Sequence, residues 1–526
     1  MRTLTLAPVA LLALALAACQ ADSREQAPRP LPDPTTALTT QQLNDQIISG
    51  LRQRGQFDWN AASVHTVWSA LQQSDHVLSV GYQPAGNRDL RLPDDARRAA
   101  EWEQARAQVL ALILAEEQKA HPDLTLDKLR VFEPNALPVL TVTVRELGTL
   151  KALRASGLVR YAEPMGYEPH GAAAAAPTAN RPAAGALSSG CGNNTATAGL
   201  TPSSDYTVFP DGSKSSWHQQ DQYHGIRTAW GQSTGRGQKV LIIDTGSSAD
   251  QENLGAAFNQ GQSTGRTIER LVTLPRNTIF GIPYGATETP NDDCGHGTSM
   301  AGACAAPRGT DGAAAGVAYN ANLIVVRAAT DVFLDASREV QGVTDAFLLA
   351  ANRPDVRIVS MSMGRLTSSG QMADAIRYAY GKGKLIFCAA GTSFDWSAGW
   401  VGVIYPASLP EAVAVTGIKD DLKTRCDECH VGPAVEFTVV MQRASNNRRP
   451  LTLAMSGDAP STVGGSSVAT ASMAGMAAVI WARYPSDTRA QLLNRLVAAS
   501  SNRARRDASF GWGRVNVATA VGAPAL

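Results

Sequence analysis

Lys239 to Gly246 reads KVLIIDTG: one basic residue, four apolar ones, then a carboxylate where Thr-Gly turns the chain. A short unbroken apolar run bounded by a turn is the pattern of a strand buried on both faces, since a half-buried strand alternates. The same pattern recurs in LIVVRA (323–328), RIVSMSM (357–363), LIFCAA (385–390) and AVAVTGI (412–418). Between these runs, DASREVQGVTDAFLLAAN (335–352) and SSGQMADAIRYAYGKG (368–383) carry apolar residues at helical spacing. Strands alternating with helices predict an α/β, doubly wound, mostly parallel sheet over residues 216–526.

In open parallel sheets, sites form at the carboxyl ends of the strands. Asp244 stands at one such end, although a carboxylate before Thr-Gly also serves simply to cap a turn. His296 lies in DDCGHGTSMAGACAA, with glycines on both sides and an apolar helical pattern behind it. GGSSVATASMAG (464–475) holds Ser466, Ser467 and Ser472 on the rise into a nearly all-apolar helix, Ala469 to Trp481. A serine there is equally a candidate N-cap.

Together, IIDTG, GHGTSMAG and GSSVA, in the order Asp, His, Ser, resemble the subtilisin-like serine proteases, the subtilase family. GVAYNANLIVVRA, SMSMG, YPASLPEAVAVTGI, VGPAVEF and FGWGRVNVATA are similar to family segments in family order, so the resemblance runs from about Gln222 to the C-terminus. It implies a serine endopeptidase with Asp244, His296 and Ser467 as catalytic triad, acting on protein or peptide substrates. The family motif G-T-S-x-A falls on Gly465 to Ala469, which puts Ser466 in the threonine's place and leaves Ser472 outside it. It further implies that substrate pairs as an added strand along Ser362-Met363-Gly364, that Ala390 and Gly391 wall the primary specificity pocket, and that Ile404 lies at its floor.

Three positions depart from the family pattern. Ala471 stands where the serine motif usually continues to proline, and APRGTDGAAAG (306–316) does not reproduce the asparagine-containing calcium loop. No cofactor is therefore expected to be required, and structural calcium lacks support in this loop. Third, AAGTS replaces AAGN, so Thr392 takes the place of the asparagine that donates to the oxyanion, with Ser393 as the neighbouring alternative donor. This leaves a second reading open, a subtilase-fold surface binding protein with weak or no proteolytic activity.

The chain begins MRTLTLAPVALLALALAACQADS, an export signal whose apolar run is short for a membrane span. Its end, Leu16-Ala17-Ala18-Cys19, resembles a bacterial lipobox, with Cys19 the acylated first mature residue; an ordinary cleaved signal is the plainer alternative. Gln20 in place of Asp implies an outer-membrane lipoprotein, and membrane contact through that anchor only. With 526 residues, 44% hydrophobic composition and net charge +1, nothing suggests a nucleic-acid partner.

The expected organisation is a signal peptide over 1–18, a tether with short helical segments over 19–75, an α+β unit over 76–165, a low-complexity linker over 166–215 and the peptidase over 216–526. The α+β unit reads as βαββαβ, ferredoxin-like, with LDKLRVF and LPVLTVTV as its middle strands. Placed before a subtilase domain, it resembles a family propeptide, which chaperones folding and then blocks the cleft as an intramolecular inhibitor. Processing is expected around Glu163-Pro164 and the Ala-rich linker. Besides Cys19, six cysteines remain, and in an exported chain they favour disulfides over metal. Cys426 to His430 spells C-x-x-C-H, the haem c pattern, for which a local disulfide turn is the preferred reading.

Overall fold

The computed structural model describes residues 35–86, 100–169, 190–192, 194–279, 282–393, 400 and 402–524. Cys19, the lipobox and most of the Ala-rich linker lie outside the described residues. Residues 37–526 form one compact unit.

Its N-terminal part begins with α1 (Thr40–Arg54), opened by a Thr39/Gln42 capping box, and α2 (Val64–Gln72), opened by the Ser63 side chain. Strand β1 (Val77–Tyr82) follows, then α3 (Ala100–Glu117), β2 (Val139–Thr143), α4 (Leu147–Ala155) and β3 (Val159–Pro164). The strands form an antiparallel sheet in the order β2-β1-β3. Leu43 and Ile47 of α1, Val67 of α2, Val80 of β1 and Val109 of α3 share one core. The two leading helices therefore belong with the α+β unit and are not part of a tether.

The expected four-stranded order is corrected to three strands. Thr125-Leu126-Asp127 turns Leu126–Leu129 into a single helical turn, with an acidic residue in the first turn where the helix dipole favours it. Only the residues just beyond it reach the sheet, through a bridge from Arg130 to Val142 and a bond from Val131 N to Thr141 O at 3.0 Å.

The larger part is built on β4 (Lys239–Asp244), β5 (Ile268–Val272), β6 (Asn322–Arg327), β7 (Ile358–Met361), β8 (Leu385–Ala389), β9 (Val413–Lys419) and β10 (Val435–Gln442). All seven run parallel, in the order β10-β9-β8-β7-β4-β6-β5. Val240 and Ile242 face the layer of α5 (His296–Ala305) and α8 (Gly465–Arg483), while Leu241 and Ile243 face α6 (Ser337–Asn352) and α7 (Gly370–Gly381). Burial on both faces is why these strands read as unbroken apolar runs. The sequence pattern missed β5, whose IERLV is only half-buried at the sheet edge, and β10 at the other edge.

The three-stranded sheet turns its second face to the layer of α6 and α7, where Val77, Val139, Tyr161 and Met165 pack with Met372 and Ile376 of α7. Arg160 grips the Asp374 carboxylate at 3.0 and 2.7 Å, and Tyr161 OH donates to it at 2.9 Å. Glu163 accepts from Gly370 N, the first residue of α7, at 2.5 Å. Glu163-Pro164 is thus a buried, bonded end of β3 and not an exposed processing point.

Candidate active site

Asp244 ends β4 where the strand order reverses, with β6 on one side and β7 on the other. It is fully buried, and its Oδ1 accepts from Thr245 N at 2.9 Å and lies 2.7 Å from His296 Nδ1. His296 opens α5 behind Gly295, whose φ of 87° lies in the left-handed region. The turn is fixed by Asp292, which accepts from Cys294 N at 3.0 Å, Gly295 N at 2.8 Å, Thr298 N at 2.8 Å and Thr245 Oγ1 at 2.9 Å. A Cβ on Gly297 would collide with the Gly246 carbonyl, which explains glycine on the far side of the histidine. Asp292 was not singled out from the sequence; its signal is a carboxylate placed to cap the amide groups just before and within the first helical turn.

Burial opposes a charge on His296, but the charge and hydrogen bond of Asp244, helped by Asp292 and Asp331, outweigh it and hold its pKa above the ordinary histidine value. The ring is thus oriented through Nδ1, the orientation that a general base requires.

The three serines separate by environment. Ser472 is buried within α8 and its hydroxyl has no partner among the described residues. Ser466 is also buried, accepting from Gly391 N at 3.1 Å. Ser467 alone is partly exposed, in the first turn of α8, and its hydroxyl donates to Ser362 O at 3.3 Å while Ser362 Oγ donates to Ser467 O at 2.9 Å. Among the described residues no hydrogen bond joins Ser467 to His296, an arrangement that commonly tightens only when substrate arrives.

At Gly364 the expected substrate edge meets residues 332–334. The Gly364 N–H donates to Val332 O and its carbonyl accepts from Leu334 N, both at 3.0 Å, so the chain itself already pairs the edge that an added strand would use. Met363 and Ala390 are buried. Ile404 sits between the two glycines: a Cβ on Gly364 would strike its Cδ1, and one on Gly391 would lie 2.9 Å from its Cγ2.

Thr392 does not aim freely at Ser467. Its Oγ1 accepts from Ser466 N at 3.3 Å and shares a bond with Ser466 Oγ at 3.0 Å. Ser393 is committed elsewhere. His430 Nδ1 meets Gly402 O at 2.8 Å and so carries the proton, leaving Nε2 to accept from Ser393 Oγ at 3.1 Å. Burial, outweighing the Gly402 bond, lowers the His430 pKa to about 4, consistent with a neutral ring.

Cys426 and Cys429 form a disulfide, which leaves neither sulfur for a haem thioether. The closed turn is tied to the oxyanion-side loop by a bridge between Thr392 and Cys429 and by Ser393 N donating to Glu428 O at 2.7 Å. Cys191 and Cys294 form a second disulfide, two residues before His296. Cys304 and Cys388 stay unpaired, since they lie in cores on opposite faces of the sheet; burial pushes both thiols up to about 12. Among the described residues no group of His, Cys, Asp or Glu is arranged to hold a metal ion.

Residues 235–513 match the model of the subtilase family. The chain belongs to that family. It is 29% identical over 296 residues to subtilisin DY from Bacillus licheniformis, covering 54% of this chain and 91% of that one. It is 26% identical over 280 residues to a subtilisin from Bacillus sp. strain TA39, covering 50% of this chain and 62% of the relative. A thermostable alkaline protease from Halalkalibacterium halodurans is 30% identical over 264 residues, with 50% and 62% covered. The chain thus spans less than two thirds of two of these three relatives. Among solved structures, MycP1 from Mycobacterium smegmatis aligns at 21% identity and TM-score 0.46, over 64% of this chain and 89% of that one.

Proposed function

We propose that this chain is an exported serine endopeptidase, anchored by a lipid on Cys19 at the outer membrane, that hydrolyses peptide bonds through Asp244, His296 and Ser467. The observation that carries this reading is the buried 2.7 Å contact between His296 Nδ1 and Asp244 Oδ1; Ser467, the one partly exposed serine of the three in Gly464 to Gly475, is the nucleophile that fits it. A pure binding role would have no use for a base oriented in this way.

His296 Nε2 takes the Ser467 proton as Oγ attacks the peptide carbonyl, and Asp244 stabilises the resulting imidazolium. The oxyanion forms beside the first N–H groups of α8, at the positive end of the helix. His296 then gives its proton to the leaving amine, and water repeats the sequence on the acyl-enzyme. Substrate takes the Gly364 edge from residues 332–334. The α1–β3 unit, docked on α7, acts as the intramolecular propeptide, and the linker beyond it is the processing site.

A fluorophosphonate probe tests the assignment: it labels the purified protein on Ser467, and Ser467→Ala abolishes both labelling and peptide hydrolysis. Labelling of Ser472 instead would refute it. Acylation is tested separately, by mass spectrometry of the mature N-terminus and loss of membrane partition in Cys19→Ser.

A further inference from the structure

Residues 190–192 and 194 fall inside the expected 166–215 linker, yet they lie against the turn that carries His296. The Cys191–Cys294 disulfide holds them two residues before His296, and Gly192 N donates to Cys294 O at 3.2 Å. Asn194 Nδ2 donates to Gly295 O at 3.1 Å and Leu453 O at 3.2 Å and touches Ser299 Oγ; its Oδ1 accepts from Ser461 Oγ at 2.5 Å. Thr197 continues the seam, 3.0 Å from Thr462 Oγ1. Every one of these anchors belongs to the larger, parallel-sheet part of the chain, so a cut anywhere before Cys191 leaves the segment attached.

Between this segment and the starts of α5 and α8 is a cavity of about 300 Å³, lined by Cys191, Gly192, Asn194, His296, Ser299 and Val463 among others. It lies at the small end of the ~300–1,000 Å³ typical of ligand pockets. Ser362 O accepts from Ser467 Oγ at 3.3 Å and Gly391 N donates to Ser466 Oγ at 3.1 Å, so the residues expected to hold the acyl half of a substrate bond to the serine turn and are not among those lining this cavity. The cavity is on the histidine side, next to the group that protonates the leaving amine. Among the described residues its lining holds no Asp, Glu, Lys or Arg, so a charged side chain entering it would lose water without gaining a counter-charge from them.

We propose that the segment carrying Cys191, Gly192 and Asn194 remains part of the mature enzyme and that these residues form the subsite for the first residue on the leaving-group side of the scissile bond, a subsite selective for compact uncharged side chains. This rests on the triad assignment above. The test is acyl transfer. A peptide ester acylates Ser467; an amino-acid amide then attacks the acyl carbonyl in competition with water, its C–N bond forming as the bond to Ser467 Oγ breaks, while the amine proton passes through His296 to that oxygen.

Leucine amide and alanine amide are expected to capture the acyl group at least tenfold better than aspartate amide or lysine amide. A Cβ on Gly192 meets nothing within 4 Å, so Gly192→Phe fits without a backbone clash and fills the cavity. It should lower the leucine amide to water partition ratio at least tenfold. Mass spectrometry of the mature chain after a linker cut should still find Cys191 joined to Cys294. A labelled enzyme whose amide preference is flat, or unaltered by Gly192→Phe, or that has shed Cys191, overturns the subsite. An enzyme that takes no fluorophosphonate on Ser467 overturns the triad reading, and the subsite with it.

Discussion

The Glu168 carboxylate and the Arg365 guanidinium meet at 2.8 Å, and neither side chain is exposed to solvent. Glu168 lies just beyond β3, and Arg365 just beyond the predicted substrate edge. The pair is well supplied with further bonds: Leu366 N donates to Glu168 at 2.8 Å, and Arg365 donates to Met165 O at 3.0 Å and Tyr167 O at 3.2 Å. This is the junction that holds the end of the N-terminal unit to the catalytic layer. Removing one partner leaves a buried charge without its counter-ion, a change that costs about 3–5 kcal/mol, whereas an apolar pair of similar volume often costs far less. Glu168→Gln should therefore free the N-terminal unit to limited proteolysis, and Glu168→Leu with Arg365→Met should restore much of its protection.

A second contact at this interface depends on pH. Burial, opposed by the Gly370 N–H and reinforced by Asp58, raises the Glu163 pKa to about 7. A carboxyl that keeps its proton more tightly when docked adds stability below its ordinary pKa and loses that contribution as the pH rises through about 7. The N-terminal unit should hold more weakly at pH 8 than at pH 5, by up to a few kcal/mol from this group. Glu163→Gln keeps an acceptor for Gly370 N and has no proton to lose. Urea midpoints of the two proteins should diverge as the pH rises towards 7 and stay apart above it, the glutamine protein being the flatter.

In the proposed mechanism catalysis needs His296 neutral, so its raised pKa should place the acid limb of kcat/KM above the ordinary histidine range. Asp331 contributes to that rise through space. Asp331→Asn keeps an acceptor for Val332 N, now bonded at 2.5 Å, but removes the charge. With less to stabilise the imidazolium, the acid limb should move to lower pH. A pH–rate profile on a peptide anilide checks the direction; a limb moved to higher pH would contradict the assignment of His296 as the base.

Much of this architecture was legible because the strands that carry the site are its most buried elements. KVLIID, LIVVRA and LIFCAA announce themselves through burial on both faces, and Asp244 stands where one of them stops. The edge strand Ile268–Val272, half-exposed with Glu269 and Arg270 in its middle, gives no such signal. LDKLRVF misled because its first four residues close a single helical turn and only the residues beyond them reach the sheet. The bond of Gly364 to residues 332–334, the anchoring of Asn194 beside Gly295, and the tie between Thr392 and Cys429 join residues far apart in the chain. Tertiary pairing of that kind leaves no local pattern to read.

The oxyanion side yields the last prediction. Gly391 N donates to Ser466 Oγ at 3.1 Å, and Ser466 Oγ and Thr392 Oγ1 lie 3.0 Å apart. Two hydroxyl protons serve this pair and one suffices for their mutual bond, so the other is available to a neighbouring charge. With Ser466 accepting from Gly391 N and donating to Thr392, the free proton is that of Thr392, and each bond in the chain polarises the next. Thr392→Val keeps the shape and removes that donor. Loss of one preorganised donor can cost ~10²–10³ in turnover where the geometry is ideal. Thr392 is also tied to Ser466 N at 3.3 Å, so a smaller loss in kcat, about tenfold with little change in KM, is expected. Ser466→Ala leaves the Thr392 proton in place and should cost about threefold. Ser393→Ala should leave kcat within about twofold, because its proton is spent on His430 Nε2. Steady-state kinetics on the three variants checks the order: a Ser393→Ala protein slower than Thr392→Val would assign the donor to Ser393 and require His430 to release it.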